Sequence, residues 1–189
     1  LREGLTANRI EWVAGIINGT TNFILSEMRA KGLDFAVVLK EAQRLGYAEA
    51  DPTFDVGGFD TAHKLAVLTS LAFGTEVNLR AIDIEGIEQV TLDDIRNASD
   101  MGYKIKLLGV AIAREEGIEQ RVNPTLVRKG SPVADTDGVF NAVVVKGART
   151  NSFINWFVQR VDGANYGLAV GTAGDVNGDG FSDLIVGSP

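Results

Sequence analysis

Apolar residues recur along the greater part of the chain in two different periods, and the alternation between those periods lays out the expected elements. RIEWVAGII reads as a strand. The following NGTTNFILSEMRAKG predicts a helix with Thr20 or Thr21 near its N-cap and Gly32 just beyond its end. A second helix starts from Asp34, carries Phe35, Val38, Leu39, Ala42 and Leu45 on one stripe, and stops at Gly46. Pro52 and the pair Gly57 and Gly58 mark a loop, and FDTAHKLAVLTSLAF returns to helical spacing. RAIDIEGIEQV reads as a strand, and TLDDIRNASDMGY as a short helix with a Thr91 to Asp94 capping box. KIKLLGVAIAR, GIEQRVNPTLV and FNAVVVKG read as further strands. Helices gather early and strands late, which predicts an α+β fold, a mixed sheet with helices packed on one face, rather than a doubly wound sheet.

Beyond residue 148 the pattern changes. RTNSFINWFVQRVDGANYGLAVGTAGDVNGDGFSDLIVGSP has no helical stripe, is rich in Gly, Asn and Asp, and predicts short strands and turns. The division expected is therefore a unit over 1–148 and a short all-β segment over 149–189, joined near Ala148 to Ser152.

Composition narrows the partners. The 189 residues are 45% hydrophobic and 23% charged, enough for one good core and a small second module. A net charge of -7 argues against nucleic acid or an anionic membrane as partner, since both reward clustered Lys and Arg. The absence of cysteine removes disulfides, thiol nucleophiles and Cys-bound zinc, and suits the cytoplasm. Runs such as LAVLTSLAFG are too short to span a bilayer, and LREGLTANRIEW has no secretory apolar core. The start at Leu1, with the first methionine at Met28, suggests a piece of a longer protein. The sequons at Asn18 and Asn97 are discounted as chance triplets.

The densest chemistry lies in AEADPTFDVGGFDTAHK, where Glu49, Asp51, Asp55 and Asp60 precede Lys64 around two adjacent glycines. A solvated acidic loop is the simplest account of such a cluster. Yet Asp60 and Lys64, four apart on one helix, would contribute only about 0.3 to 0.5 kcal/mol as an exposed pair, which explains neither the glycines nor the upstream acids. A zwitterionic ligand explains more. It needs an anion for its ammonium and backbone N–H groups for its carboxylate, and Gly19-Thr20-Thr21 at a helix start offers the latter. His63, the sole histidine, sits beside Lys64 but points elsewhere on the helix and reads as structural; Trp12, Phe23 and Phe35 read as core.

GIINGTTNFIL, GYAEADPTFDVGGFDTAHKLAVL and FNAVVVKG together resemble the substrate-binding and catalytic domain of homoserine dehydrogenase, over about residues 1–147. The resemblance implies NAD(P)-dependent interconversion of aspartate 4-semialdehyde and homoserine, in the pathway to threonine, methionine and isoleucine. It implies that Gly19 and Thr20 hold the amino acid end of the substrate, Glu49 its ammonium, and Asp55 a further carboxylate near that group. Asp60 and Lys64 match the pair facing the reacting oxygen, where an ammonium would stabilise charge as hydride arrives. A cytoplasmic enzyme and a homodimer through the sheet go with the family. No G-x-G-x-x-G occurs in the 189 residues, so the NAD(P) site is not expected in this chain, and a second family lysine belongs to the same missing part. The chain alone is therefore expected to be inactive.

The tail's GDVNGDGFSDLIVGSP resembles an FG-GAP repeat, the blade of integrin-type β-propellers, with Tyr166-Gly167 and Gly187-Ser188-Pro189 at its ends. Its D-x-N-x-D-G-x-x-D core sets Asp175, Asn177, Asp179 and Asp183 around one turn, with a carbonyl from Phe181, an oxygen set suited to Ca²⁺. A plain Asn/Asp/Gly turn without metal is the alternative, and one blade cannot close a propeller. A non-enzymatic calcium-binding adhesion module is accordingly the rival function. The tail's type is mostly extracellular, and a fusion of unrelated fragments accounts for both resemblances.

Overall fold

The computed structural model describes residues 9–148 throughout and, beyond them, the backbone of 154–158, 169–174 and 183–187. Its elements in chain order are β1 (Ile10–Ile16), α1 (Gly19–Lys31), α2 (Phe35–Arg44), α3 (Thr53–Val56) and α4 (Phe59–Phe73), a 3₁₀ turn (Leu79–Ala81), and β2 (Asp83–Ile84). They continue with α5 (Leu92–Asp100), β3 (Tyr103–Arg114), β4 (Gly117–Arg128), α6 (Pro132–Asp135), β5 (Asn141–Gly147), β6 (Ile154–Val158), β7 (Ala169–Gly174) and β8 (Asp183–Gly187).

Six strands form one sheet in the order β2-β4-β3-β1-β5-β6. Only β2 runs parallel to its neighbour, so the sheet is mixed, as an α+β fold requires. β6 lies beyond residue 148 and adds to the edge at β5, while β7 and β8 pair separately. The strand period of two separates the faces of β3. Leu107 and Ala111 join Ile17, Ile24, Leu25, Leu65 and Ile95 in the core under the helices; Leu108 and Val110 join Ile16 on the other face, against Val133 of α6. Pro124 is tolerated inside β4 because β2 covers only Arg121 and Val122 on its outer side.

The helix ends follow local chemistry. Gly32 takes a left-handed conformation at φ 65° and donates to the Met28 carbonyl. The capping box of α5 is present in both directions, Thr91 accepting from Asp94 N–H and Asp94 accepting from Thr91 N–H. Three expectations fail in detail. Asn18, not Thr20 or Thr21, caps α1: its backbone is extended and its side chain accepts from Thr21 N–H. The loop before α4 contains the one-turn α3, capped at Pro52, and Asp51 just ahead of it accepts from both the N–H and the hydroxyl of Thr53. The strand expected over 80–90 shrinks to Asp83–Ile84. After Glu85 pairs with Val122, a Cβ on Gly86 would stand 2.3 Å from the Val56 carbonyl, and Ile87 N–H donates to that same carbonyl. The chain thus leaves the sheet to bury Ile87 beside α3.

Among the described residues no helix is long and apolar enough to cross a membrane.

Candidate functional site

The N-terminus of α1 and the first turns of α4 are tied together by one side chain. Asn18 is 4% exposed. Its amide donates to Asp55 Oδ1 at 2.7 Å and to Asp60 Oδ2 at 2.9 Å, while its Oδ1 accepts from Thr21 N–H at 2.8 Å. A neutral amide therefore sits between two carboxylates that would otherwise repel each other, and the same group caps the helix. The first N–H groups of a helix have no intrahelical acceptor, so Gly19 and Thr20 present theirs at the positive end of α1. Gly19 is required by space: a Cβ there would lie 2.6 Å from the Val139 carbonyl oxygen. Thr20 donates its hydroxyl proton to the Tyr47 carbonyl at 2.6 Å, fixing the loop after α2, and Gln43 holds the Glu49 carbonyl from the other side.

On α4, Lys64 Nζ donates to Asp60 Oδ2 at 2.6 Å and to the Ile17 carbonyl at 3.2 Å. An ammonium has three donors, and the third has no recorded acceptor among the described residues. Asp60 is the more enclosed partner, with its side chain 20% exposed against 52% for Lys64.

These groups border a single polar cleft of about 390 Å³, in which Gly19, Thr20, Glu49, Asp55, Asp60 and Lys64 all appear, with Asn18, Tyr47, Val139 and Asn141 beside them. Three carboxylates against one ammonium leave the cleft anionic, a setting for a ligand cation, while the α1 N-terminus suits a ligand anion. Asp51, the remaining acid of the cluster, turns to its own loop at Thr53. A second hollow of about 590 Å³ adjoins the cleft and is apolar, bordered by Ile17, Val67, Leu68 and Val143. Lys64 and Asn141 border both hollows. His63 lies on that apolar side, exposed, with its ring 5.4 Å from that of Phe54.

Behind the cleft stands a second lysine, which the periodicity of β3 does not single out. Lys106 is fully buried, and its Nζ donates to Asn22 Oδ1 at 2.8 Å, the Thr136 carbonyl at 2.6 Å and Asp137 Oδ1 at 2.7 Å. Burial pushes its pKa down to about 8, against the hydrogen bond and charge of Asp137. Desolvation alone would raise the Asp137 carboxyl, yet hydrogen bonds from Lys106 and Arg29 hold it well below the usual carboxylate range. Asn22 also donates to the Thr136 and Phe140 carbonyls, so this knot pins the strap that carries Val139 to the cleft.

Asp175, Asn177, Asp179 and Phe181 lie outside the described residues, and Asp183 is described only as the first backbone position of β8. Among the described residues no group of three or more acids or histidines is arranged to hold a metal.

The family model described as homoserine dehydrogenase matches residues 1–177, and that described as FG-GAP repeat matches residues 166–189. A homoserine dehydrogenase of Neisseria gonorrhoeae is 59% identical over 145 residues, covering 77% of this chain and 33% of its own length. One from Pseudomonas aeruginosa is 57% identical over 152 residues, covering 80% of this chain and 35% of its own. Among solved structures, a homoserine dehydrogenase from Thiobacillus denitrificans superposes with a TM-score of 0.81 at 58% identity, over 83% of this chain and 36% of that one. The chain thus spans about a third of the length of the curated relatives it matches.

Proposed function

The chain belongs to the homoserine dehydrogenase family, and from that premise we propose that it is the substrate-binding and catalytic part of an oxidoreductase interconverting aspartate 4-semialdehyde and L-homoserine with NAD(P). The observation that carries the reading is Lys64, held by Asp60 and the Ile17 carbonyl with one donor left for the cleft that also contains Glu49. In this reading Glu49 receives the substrate ammonium, with Asp55 as a further negative charge near it. The N–H groups of Gly19 and Thr20 receive its carboxylate. Lys64 donates to the aldehyde oxygen and stabilises the alkoxide as the carbon is reduced; Asp60 orients Lys64. The dinucleotide supplies the hydride when bound, and the residues of this chain do not form its phosphate cradle, since no G-x-G-x-x-G occurs among them. In this reading residues 1–148 make up the enzyme-like unit, with β6 added to the edge of its sheet, and an FG-GAP-like β segment follows toward residue 189. A cytoplasmic location and a homodimer through the sheet belong to the same reading.

The test joins this chain to the nucleotide-binding part of a relative and follows NADP⁺ reduction by L-homoserine. The joined protein is expected to turn over and the chain alone is not. Lys64→Ala in the joined protein is expected to lower kcat about 100-fold or more, as loss of a charge-stabilising donor does. Turnover by the chain alone, or an unchanged kcat in Lys64→Ala, would overturn the reading.

A further inference from the structure

Lys64 is long, flexible and half in solvent, so its use in the cleft depends on what fixes its ammonium. An isolated i,i+4 pair fixes it poorly, because two mobile side chains have to be ordered for one exposed contact. Here the Asp60–Lys64 pair is held from outside α4, by two successive residues at the junction of β1 and α1. The Ile17 carbonyl accepts from Lys64 Nζ at 3.2 Å. The Asn18 amide donates to Asp60 Oδ2 at 2.9 Å, the same oxygen that Lys64 meets at 2.6 Å.

Asn18 itself has no freedom. It is 4% exposed, its Oδ1 accepts from Thr21 N–H at 2.8 Å, and its amide nitrogen also donates to Asp55 Oδ1 at 2.7 Å. Both amide protons are thus spent on carboxylates, and the reverse orientation of the amide would set its oxygen against both of them. Asp60 Oδ2 is thereby fixed relative to the start of α1, whose first residues, Gly19 and Thr20, border the cleft.

Capping α1 does not require this arrangement. Ser, Thr or Asp would accept from Thr21 N–H as well, and none of them has two amide protons. Without the amide, Asp55 and Asp60, which both lie within hydrogen-bond reach of one nitrogen, would face each other with Lys64 as the cation bordering the same cleft. Its ammonium would be drawn between the two carboxylates and out of the position that leaves one donor free.

We propose that Asn18 is a positioning residue for the reaction: its amide fixes the Asp60 carboxylate, and through it the Lys64 ammonium, relative to the α1 N–H groups that receive the substrate carboxylate. This rests on the reading of the cleft as the homoserine site and adds to it the residue that sets one end of that site against the other.

The experiment uses the joined protein, in which the chain has a nucleotide-binding part, and measures kcat and KM for L-homoserine in the unaltered form, Asn18→Ser, Lys64→Ala and the double variant. Asn18→Ser keeps a capping oxygen and loses the amide donors. It is expected to lower kcat about tenfold and to leave KM within about threefold, because the N–H groups of Gly19 and Thr20 and the Glu49 carboxylate keep their places. In the Lys64→Ala background the same change is expected to alter kcat by less than about twofold, since the group that Asn18 positions is gone. A residue that only supports the fold would lower kcat by the same factor with or without Lys64. Asn18→Asp, which keeps both the cap and the shape, is expected to repeat the pattern. An unchanged kcat in Asn18→Ser, a fall of equal size in both backgrounds, or loss of the folded state in both Asn18 variants overturns the positioning role. Those outcomes leave the homoserine reading standing where the unaltered joined protein turns over and Lys64→Ala lowers its kcat. No turnover by the unaltered joined protein, or an unchanged kcat in Lys64→Ala, removes both.

Discussion

Two lysines in this molecule have nearly the same first neighbours and opposite circumstances. Lys64 meets an aspartate oxygen at 2.6 Å and a backbone carbonyl at 3.2 Å; Lys106 meets an aspartate oxygen at 2.7 Å, a backbone carbonyl at 2.6 Å and the Asn22 amide oxygen at 2.8 Å. Lys64 keeps half its side chain in solvent, whereas Lys106 has none there. The difference lies in the third proton. A buried ammonium has to fill every donor, so Lys106 is fixed and chemically idle, while Lys64 can leave one donor for a ligand because water serves it in the meantime. Ion pairing alone therefore does not make a lysine a candidate for function; an incomplete donor set bordering a cleft does.

Stability is where this comparison is most easily broken. Removing Lys106 leaves the buried Asn22 amide oxygen without its donor and a void behind it, while Asp137 keeps Arg29 and Lys104, and Lys106→Ala is expected to cost about 3 kcal/mol in denaturant unfolding. Lys64→Ala removes an exposed i,i+4 pair and is expected to stay within about 1 kcal/mol. Equal losses in the two variants would show that the contrast between them is only apparent.

The same contrast explains what could be read from the sequence. The acids of the cleft and Lys64 fall within a few turns of one another along the chain, so their density announces them. The four longer helices are legible as well, since amphipathic stripes and terminal glycines are local signals; α4 spans Phe59–Phe73 as the spacing predicts, between Gly58 and Gly74. Lys106 is not legible, because its partners lie 84 and 31 residues away and its place in KIKLLGV reads as an ordinary polar step on a strand. Asn18 fails for another reason: Asn18, Thr20 and Thr21 are all acceptable caps, and only the tertiary approach of Asp55 and Asp60 selects the residue with two amide protons. The contraction of β2 is likewise tertiary, set by the contact of Gly86 with α3.

Asn18 offers a sharper and smaller test on the cleft side. As a cap it contributes about 1 kcal/mol, and as the donor to two carboxylates it contributes again, so Asn18→Ala is expected to cost about 2 kcal/mol. Asn18→Asp keeps a good cap but sets a third carboxylate against Asp55 and Asp60. If Asn18 were only a cap, that change would be close to neutral. A loss in chemical unfolding at pH 7 comparable to that of Asn18→Ala is expected instead.

The last test is the gentlest, a change of slope rather than a loss, and it reads the Lys106 knot without dismantling it. Lys106 is faced by Asp137, Arg29 and Lys104, and its pKa in the fold is about 8 against an ordinary 10.5. Below about pH 8 both the folded and the unfolded chain hold this proton, and the full cost of burying the charge is present. Between about 8 and 10.5 the unfolded chain holds a proton that the folded chain has released, so the unfolded state binds more protons and stability from this group rises with pH. Above 10.5 neither holds it and the rise ends. The slope from one proton cannot exceed about 1.4 kcal/mol per pH unit. Subtracting the stability curve of Lys106→Met from that of the unaltered chain removes the other titrating groups, and the difference is expected to climb through that window and be flat just below it. Parallel curves for Lys106→Met and the unaltered chain would mean that burial does not burden this lysine, and the distinction between the two sites would then rest on hydrogen-bond count alone.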